Sequence, residues 1–172
     1  MTPVIGIAGW KNSGKTTLTV RLVEEFTRRG LRVATVKHAH HAFRIDDGDT
    51  DSARHRRAGA GQVAIVSSTR WALVTELADR NEPSLEVIIA KLEPCDLVIV
   101  EGYKSASIPK VEVRRRDSAS DRSLADDDPN VIAIAADEPA AHAGELPIFQ
   151  LDAVATLADF LAQRLGLTNR AR

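Results

Sequence analysis

Cysteine is nearly absent. Cys95 is the only one in 172 residues, which excludes a disulfide framework and a zinc cage built from thiolates and points to a reducing compartment. Aromatic residues are scarce, 4% against a hydrophobic total of 44%, so the core must come from Val, Ile, Leu and Ala. An excess of one charge is missing too. The 23 Lys and Arg against 24 Asp and Glu leave a net −1, and a chain without a basic surplus is a poor general binder of nucleic acid or membrane surfaces. The longest strictly apolar run, Val131 to Ala136, has six residues, where a membrane-spanning helix needs about 20. Met1-Thr2-Pro3 leads straight into an apolar stretch, with no cationic region and no small-residue cleavage site. A cytoplasmic protein is therefore expected, and the length suits a single domain over residues 1–172.

Periodicity supplies the elements. Val4 to Ala8 is a short, β-branched run that reads as a buried strand. From Lys15 the apolar positions Leu18, Leu22 and Phe26 recur at helical spacing, with Arg28 and Arg29 in the last turn and Gly30 as a stop. Leu31 to Val36 is a second strand, so the first 36 residues form a βαβ unit with a right-handed crossover and a parallel sheet. His38 to Thr50 reads as a loop, and Asp51 to Ala58 as a short helix with an Asp or Ser cap. Val63 to Val66 and Trp71 to Val74 read as an antiparallel hairpin, and Leu85 to Leu92 as a helix. Leu97 to Val100 and Val131 to Ala135 are buried strands, and Pro109 to Val113 alternates weakly enough to suggest an edge strand. Arg114 to Pro129 has almost no apolar residues and reads as a mobile loop. Ile148 to Leu151 is a last strand before a helix from Val154, stopped by Gly166. The fold class expected is α/β: a phosphate-loop, mostly parallel sheet flanked by helices, with an added antiparallel hairpin or edge strands.

The strongest chemical signal is Gly9-Trp10-Lys11-Asn12-Ser13-Gly14-Lys15-Thr16. It matches the G-x-x-x-x-G-K-[ST] phosphate loop and sits between a strand and a helix, the context that confirms it. Gly9 and Gly14 allow a backbone path that side chains resist. The loop, with Asn12 and Ser13 within it, then wraps its N–H groups around a β-phosphate at the positive end of the following helix. Lys15 is placed for the β- and γ-phosphates, Thr16 for a Mg²⁺ ion, and Thr17 for the α-phosphate. The competing reading is a glycine-rich turn with an incidental lysine.

Such sites usually need a second acid at the tip of a neighbouring strand. Glu101 stands there, after Leu97-Val98-Ile99-Val100, directly or through water a magnesium partner; otherwise it is a solvated carboxylate. Asp96 begins the same run and belongs at its far end. His38, His40 and His41 precede Asp46 and Asp51. In a phosphate-loop protein this segment stands where a switch loop would, near the γ-phosphate. Contact with nucleotide or substrate, a plain solvated loop and a dedicated metal site all remain open readings. Alternation puts His38 and His40 on one face and His41 on the other, against a locally formed metal cage. No N-K-x-D guanine motif is present. Asp137, after a late strand, is either a guanine reader through the base N1–H and N2–H or a helix cap. Arg57 lies in one basic cluster and Arg114 to Arg116 form another; solvated charge or an anionic ligand explains either.

Several stretches together resemble the molybdopterin-guanine dinucleotide biosynthesis adapter proteins, the MobB family. They are the loop through Thr17, Val36-Lys37-His38-Ala39-His40-His41, Asp51-Ser52, Arg57-Ala58-Gly59-Ala60, Asp96 to Lys104, Ile108-Pro109-Lys110 and Ala133 to Asp137. The K-H-x-H-H and V-E-G-Y-K segments are more telling than the widely shared phosphate loop. The resemblance implies a phosphate-loop α/β fold, a homodimer joined through an extended sheet, GTP with Mg²⁺, and feeble GTP hydrolysis. It also implies assistance to a MobA-type molybdopterin guanylyltransferase, with a molybdopterin-related ligand as a further partner. Carried onto this chain, Gly9, Asn12, Gly14, Lys15, Thr16 and Thr17 would hold phosphates and magnesium, Glu101 would be the second acid, and His38, His40 and His41 would lie in the switch-like loop. Where the family often has Thr or Ser before the base-side aspartate, this chain has Ala136, so that side-chain bond to the base is lost or replaced.

Two activities compete on these residues. One is an adapter that is at most a slow GTPase, because no glutamine follows Glu101-Gly102 to position water and no arginine finger in cis is evident. The other is a small-molecule kinase that phosphorylates a substrate held by the histidine-rich loop, with the segment from Arg114 to Arg122 as a lid.

Overall fold

The structure is a computed structural model that describes every residue except 1, 40–42, 44, 47, 117, 119–121, 138–143 and 169–172. The chain forms two compact units, Met1–His38 with Leu85–Arg172, and Ala39–Ser84.

The larger unit is a parallel sheet. Its strands are β1 (Val4–Ala8), β2 (Val33–Lys37), β5 (Leu97–Glu101), β6 (Lys110–Arg114), β7 (Val131–Ala136) and β8 (Ile148–Gln150), in the order β2-β5-β1-β6-β7-β8. Alternation along β5 sends Leu97 and Ile99 to one face and Val98 and Val100 to the other, and all four are fully buried. Helices α1 (Lys15–Arg28) and α4 (Val154–Leu165) cover the first face. Leu18, Leu22 and Phe26 of α1 and Leu157 and Leu161 of α4 pack there with Ile5, Ile7 and Val111. Helix α3 (Leu85–Ile89) covers part of the second face through Leu85, against Val36, Val98 and Val100. Strands buried on both faces read as continuous apolar runs, which is why β1, β5 and β7 were legible.

Strand β6 differs from expectation. It is not an edge strand but lies between β1 and β7, and the edges are β2 and β8. Its sequence alternates because Lys110 and Glu112, each 1% exposed, are buried with partners supplied by the chain around them. Lys110 donates to Asp128 at 2.7 Å and to the Ala106 carbonyl. Glu112 accepts the backbone N–H groups of Leu124 and Ala125 at 2.8 and 3.0 Å and the Arg114 guanidinium at 2.9 Å. These bonds tie Leu124, Ala125 and Asp128 to the sheet, which corrects the mobile-loop reading for that part of the segment; its residues 117 and 119–121 lie outside the described residues.

The smaller unit holds α2 (Asp51–Arg57), β3 (Gln62–Val66) and β4 (Trp71–Thr75). The strands pair antiparallel, Val66 opposite Trp71, as the hairpin pattern predicts. Thr50, rather than an Asp or Ser, caps α2 by accepting the Ala53 N–H at 3.2 Å.

Candidate functional site

The turn from β1 into α1 has the backbone the glycines were expected to permit. A Cβ on Gly9 would stand 2.5 Å from both Ser13 Oγ and the Val113 carbonyl oxygen, closer than real contacts allow. Gly14 has φ +91°, in the left-handed region. It caps α1 with no side-chain hydrogen bond, and the first turn of the helix carries no acidic residue. The early N–H groups of α1 thus have no side-chain acceptor, and the helix start suits an external anion. Asn12 also has positive φ, +66°. Ser13 is fully buried, and its Oγ has no hydrogen-bond partner among the described residues. Its N–H donates to the Trp10 carbonyl at 3.2 Å.

Cations gather at this loop. The Lys15 ammonium folds back onto the Trp10 carbonyl at 2.6 Å. Lys104 stands 3.7 Å from the centre of the Trp10 ring. Burial, then the Lys104 charge, pull the Lys15 pKa below its ordinary value; Glu101 opposes this and Lys37 adds to it. Burial likewise lowers Lys104. Lys37 and Glu101 end β2 and β5 side by side in the register, 3.1 Å apart at the ammonium and carboxylate. The same carboxylate oxygen accepts the Thr16 hydroxyl at 2.7 Å. Glu101 is 8% exposed, so this is a sheltered acid rather than a freely solvated one. A hydroxyl and a carboxylate in contact at the start of α1 are hard oxygen donors of the type Mg²⁺ takes. Thr17, exposed, follows on the helix.

The remaining candidates spread out. His38 follows β2, donates its N–H to the Glu101 carbonyl at 3.0 Å, and sets its ring 4.7 Å from that of Tyr103. His40 and His41 lie outside the described residues. Asp46, Asp51 and Arg57 belong to the smaller unit. There Asp46 accepts the Thr50 hydroxyl at 2.7 Å, Asp51 is exposed, and Arg57 meets Asp49 at 3.3 Å. Asp137 is exposed, one residue past β7, where the neighbouring Ala136 carbonyl accepts the Leu151 N–H at 3.0 Å. Asp96 sits at the far end of β5, as expected, bonded to the Arg32 N–H at 2.8 Å.

One residue of the second basic cluster, Arg115, is brought to this loop. A Cβ on Gly14 would lie 3.0 Å from Arg115 Nε and 3.3 Å from its Cζ, so this guanidinium rests on the loop between β1 and α1. The sequence marks it only as part of the Arg114-Arg115-Arg116 run, open to solvent or to an anionic ligand, and does not say that this arginine rather than its neighbours meets Gly14. Trp10 Nε1 donates to the Arg122 carbonyl at 2.6 Å, so the connection after β6 meets the loop twice.

A family model described as MobB, molybdopterin guanine dinucleotide synthesis protein B, matches residues 4–137. The chain is 36% identical over 172 residues to the molybdopterin-guanine dinucleotide biosynthesis adapter protein of Escherichia coli (strain K12), covering 98% of this chain and 97% of that one. It is 33% identical to the protein of the same description from Haemophilus influenzae, covering 99% and 93%. The crystal structure of a MobB protein homolog from Bacillus stearothermophilus superposes with a TM-score of 0.71 at 29% identity, covering 96% of this chain and 99% of that one.

Proposed function

The chain belongs to the MobB family, and on that premise we propose that it is an adapter of molybdopterin guanine dinucleotide biosynthesis that binds GTP with Mg²⁺ and hydrolyses it slowly. The observation that carries this reading is the uncapped start of α1 with Lys15, Lys37 and Lys104 around it and one sheltered carboxylate, Glu101, on the Thr16 hydroxyl. Gly9, Asn12 and Gly14 shape the cup, the N–H groups from Gly14 to Thr17 serve as its donors, and Lys15 neutralises the β- and γ-oxygens. Thr16 and Glu101 would hold Mg²⁺, which when bound offsets the negative charge on the phosphates. Slow turnover follows from the residues after Glu101. They are Gly102 and Tyr103, where no glutamine stands to position the attacking water.

Asp137, open at the mouth of the sheet, is the proposed guanine reader, because a carboxylate accepts from N1–H and N2–H together and adenine offers no such pair. A homodimer is the proposed assembly, in a cytoplasmic protein that works with a MobA-type guanylyltransferase and a molybdopterin-related ligand. In favour of a protein partner, one face of the hairpin carries Val66 and Trp71, cross-strand neighbours 75% and 64% exposed.

Calorimetric titration with GTP, GDP and ATP in Mg²⁺ tests the reading. GTP is expected to bind more tightly than ATP, and Lys15→Ala to weaken GTP roughly 10–100-fold. Absence of heat from either triphosphate at millimolar concentration overturns the proposal. Equal GTP and ATP affinities remove Asp137 from its role, and rapid transfer of phosphate to an added small-molecule acceptor replaces the adapter with a kinase.

A further inference from the structure

We propose that Arg115 contacts the diphosphate of a bound nucleotide, entering from the side of the phosphate loop opposite Glu101. The inference rests on the nucleotide reading above and adds a residue that the loop motif does not contain. Val111 and Val113 of β6 point to the face of the sheet that carries α1. Alternation continued past the strand end brings Arg115 to that same face. There its Nε, Cζ and Cδ lie 3.0, 3.3 and 3.5 Å from the place a Gly14 Cβ would occupy. Gly14 immediately precedes Lys15 at the helix start, where the N–H donors for an anion converge.

The charge balance supports a role for the ligand. Arg114 is taken by Glu112 at 2.9 Å and Ser123 at 2.5 Å. Arg115 makes no ion pair among the described residues. It is thus a cation held against Gly14, the residue before Lys15, with no carboxylate of the described residues to neutralise it, and an incoming anion supplies that charge. Described residues on either side of it are anchored, Glu112 to the N–H groups of Leu124 and Ala125 and the Arg122 carbonyl to Trp10. Less backbone freedom is then lost on binding than for an arginine on a free loop. A guanidinium presents a planar fork that meets two phosphate oxygens at once, which a lysine cannot do.

The sheet order says which part of the nucleotide it meets. β5, with Glu101, adjoins β1 on one side, and β6 adjoins it on the other. The pair proposed for Mg²⁺, Thr16 and Glu101, therefore occupies the β5 side, and Arg115 serves the phosphates shared by GDP and GTP rather than the terminal one alone.

The test measures GMP, GDP and GTP affinities, with Mg²⁺, for the wild-type protein, Arg115→Ala and Arg115→Lys, alongside thermal melting. Arg115→Ala is expected to lower GDP and GTP affinity by the same factor, roughly 10–100-fold, to leave GMP nearly unchanged, and to melt like the wild type. Arg115→Lys should recover only part of the loss. Unchanged GDP affinity in Arg115→Ala overturns the inference, as does a loss confined to GTP. Should Arg115→Ala melt early, Arg115→Lys decides: full diphosphate affinity in that variant refutes a fork contact. A wild-type protein that binds no nucleotide instead overturns the phosphate-loop reading itself.

Discussion

The Thr16 hydroxyl donates to Glu101 Oε1 across 2.7 Å, and so ties the first turn of α1 to the tip of β5. The Lys37 ammonium shares that oxygen at 3.1 Å. Glu101→Gln keeps the size of the side chain and removes the charge that would hold a magnesium shell. It should weaken GTP binding roughly tenfold or more when Mg²⁺ is present and have little effect in EDTA. Parallel titrations in the two buffers check this; equal losses in both would make Glu101 a structural acid only.

Trp10 is one of two tryptophans and sits between the Arg122 carbonyl, 2.6 Å from its Nε1, and the Lys104 ammonium over its ring. A nucleotide that draws Lys104 toward phosphate weakens that cation–π contact. In a Trp71→Phe background, GTP with Mg²⁺ should shift the remaining emission saturably, and Lys104→Met should blunt the shift. Emission that does not respond to saturating nucleotide would show that Trp10 keeps its surroundings on binding.

Glu25 accepts from Arg28 at 2.9 and 2.7 Å and from Arg29 at 2.7 Å. The Arg28 bonds first, then the Arg29 bond, hold its carboxyl down to about 2. Its folded value lies below the unfolded one, so its contribution is complete above the ordinary carboxylate range and fades as pH falls toward 2. The group is near the surface, and its worth at neutral pH is about 1 kcal/mol. Glu25→Gln should melt below the wild type at pH 7, and the gap should close as pH falls from about 4 toward 2. Melting curves across that range read it directly.

Lys110 is 1% exposed, and its counter-ion is Asp128 at 2.7 Å. Burial opposes ionisation of Asp128, but the Lys110 bond and the Asn130 N–H outweigh it and hold its pKa below the ordinary value. Asp128→Ala leaves an ammonium in the sheet interior with, among the described residues, only the Ala106 carbonyl, and should cost roughly 3–5 kcal/mol in urea unfolding. Adding Lys110→Met should recover much of that loss, because removing both charges removes the unmet desolvation.

The glycine-bounded turn between β1 and α1, the βαβ start, the apolar strands β1, β5 and β7 and the place of Glu101 at the end of β5 were all readable from the chain alone. Each depends on neighbours in sequence: glycine spacing, a period of two or of 3.6, and an acid at the end of an apolar run. The interior position of β6 was not readable, because Lys110 and Glu112 look solvent-facing until Asp128 and the N–H groups of Leu124 and Ala125 are brought against them. Nor was the seat of Arg115 on Gly14, which sequence separates by a hundred positions and only the β1–β6 pairing brings together. Local pattern determines what a segment can become. Which charges strand order brings against a partner, and which it does not, is settled only in the folded chain, because strand order is a property of that chain.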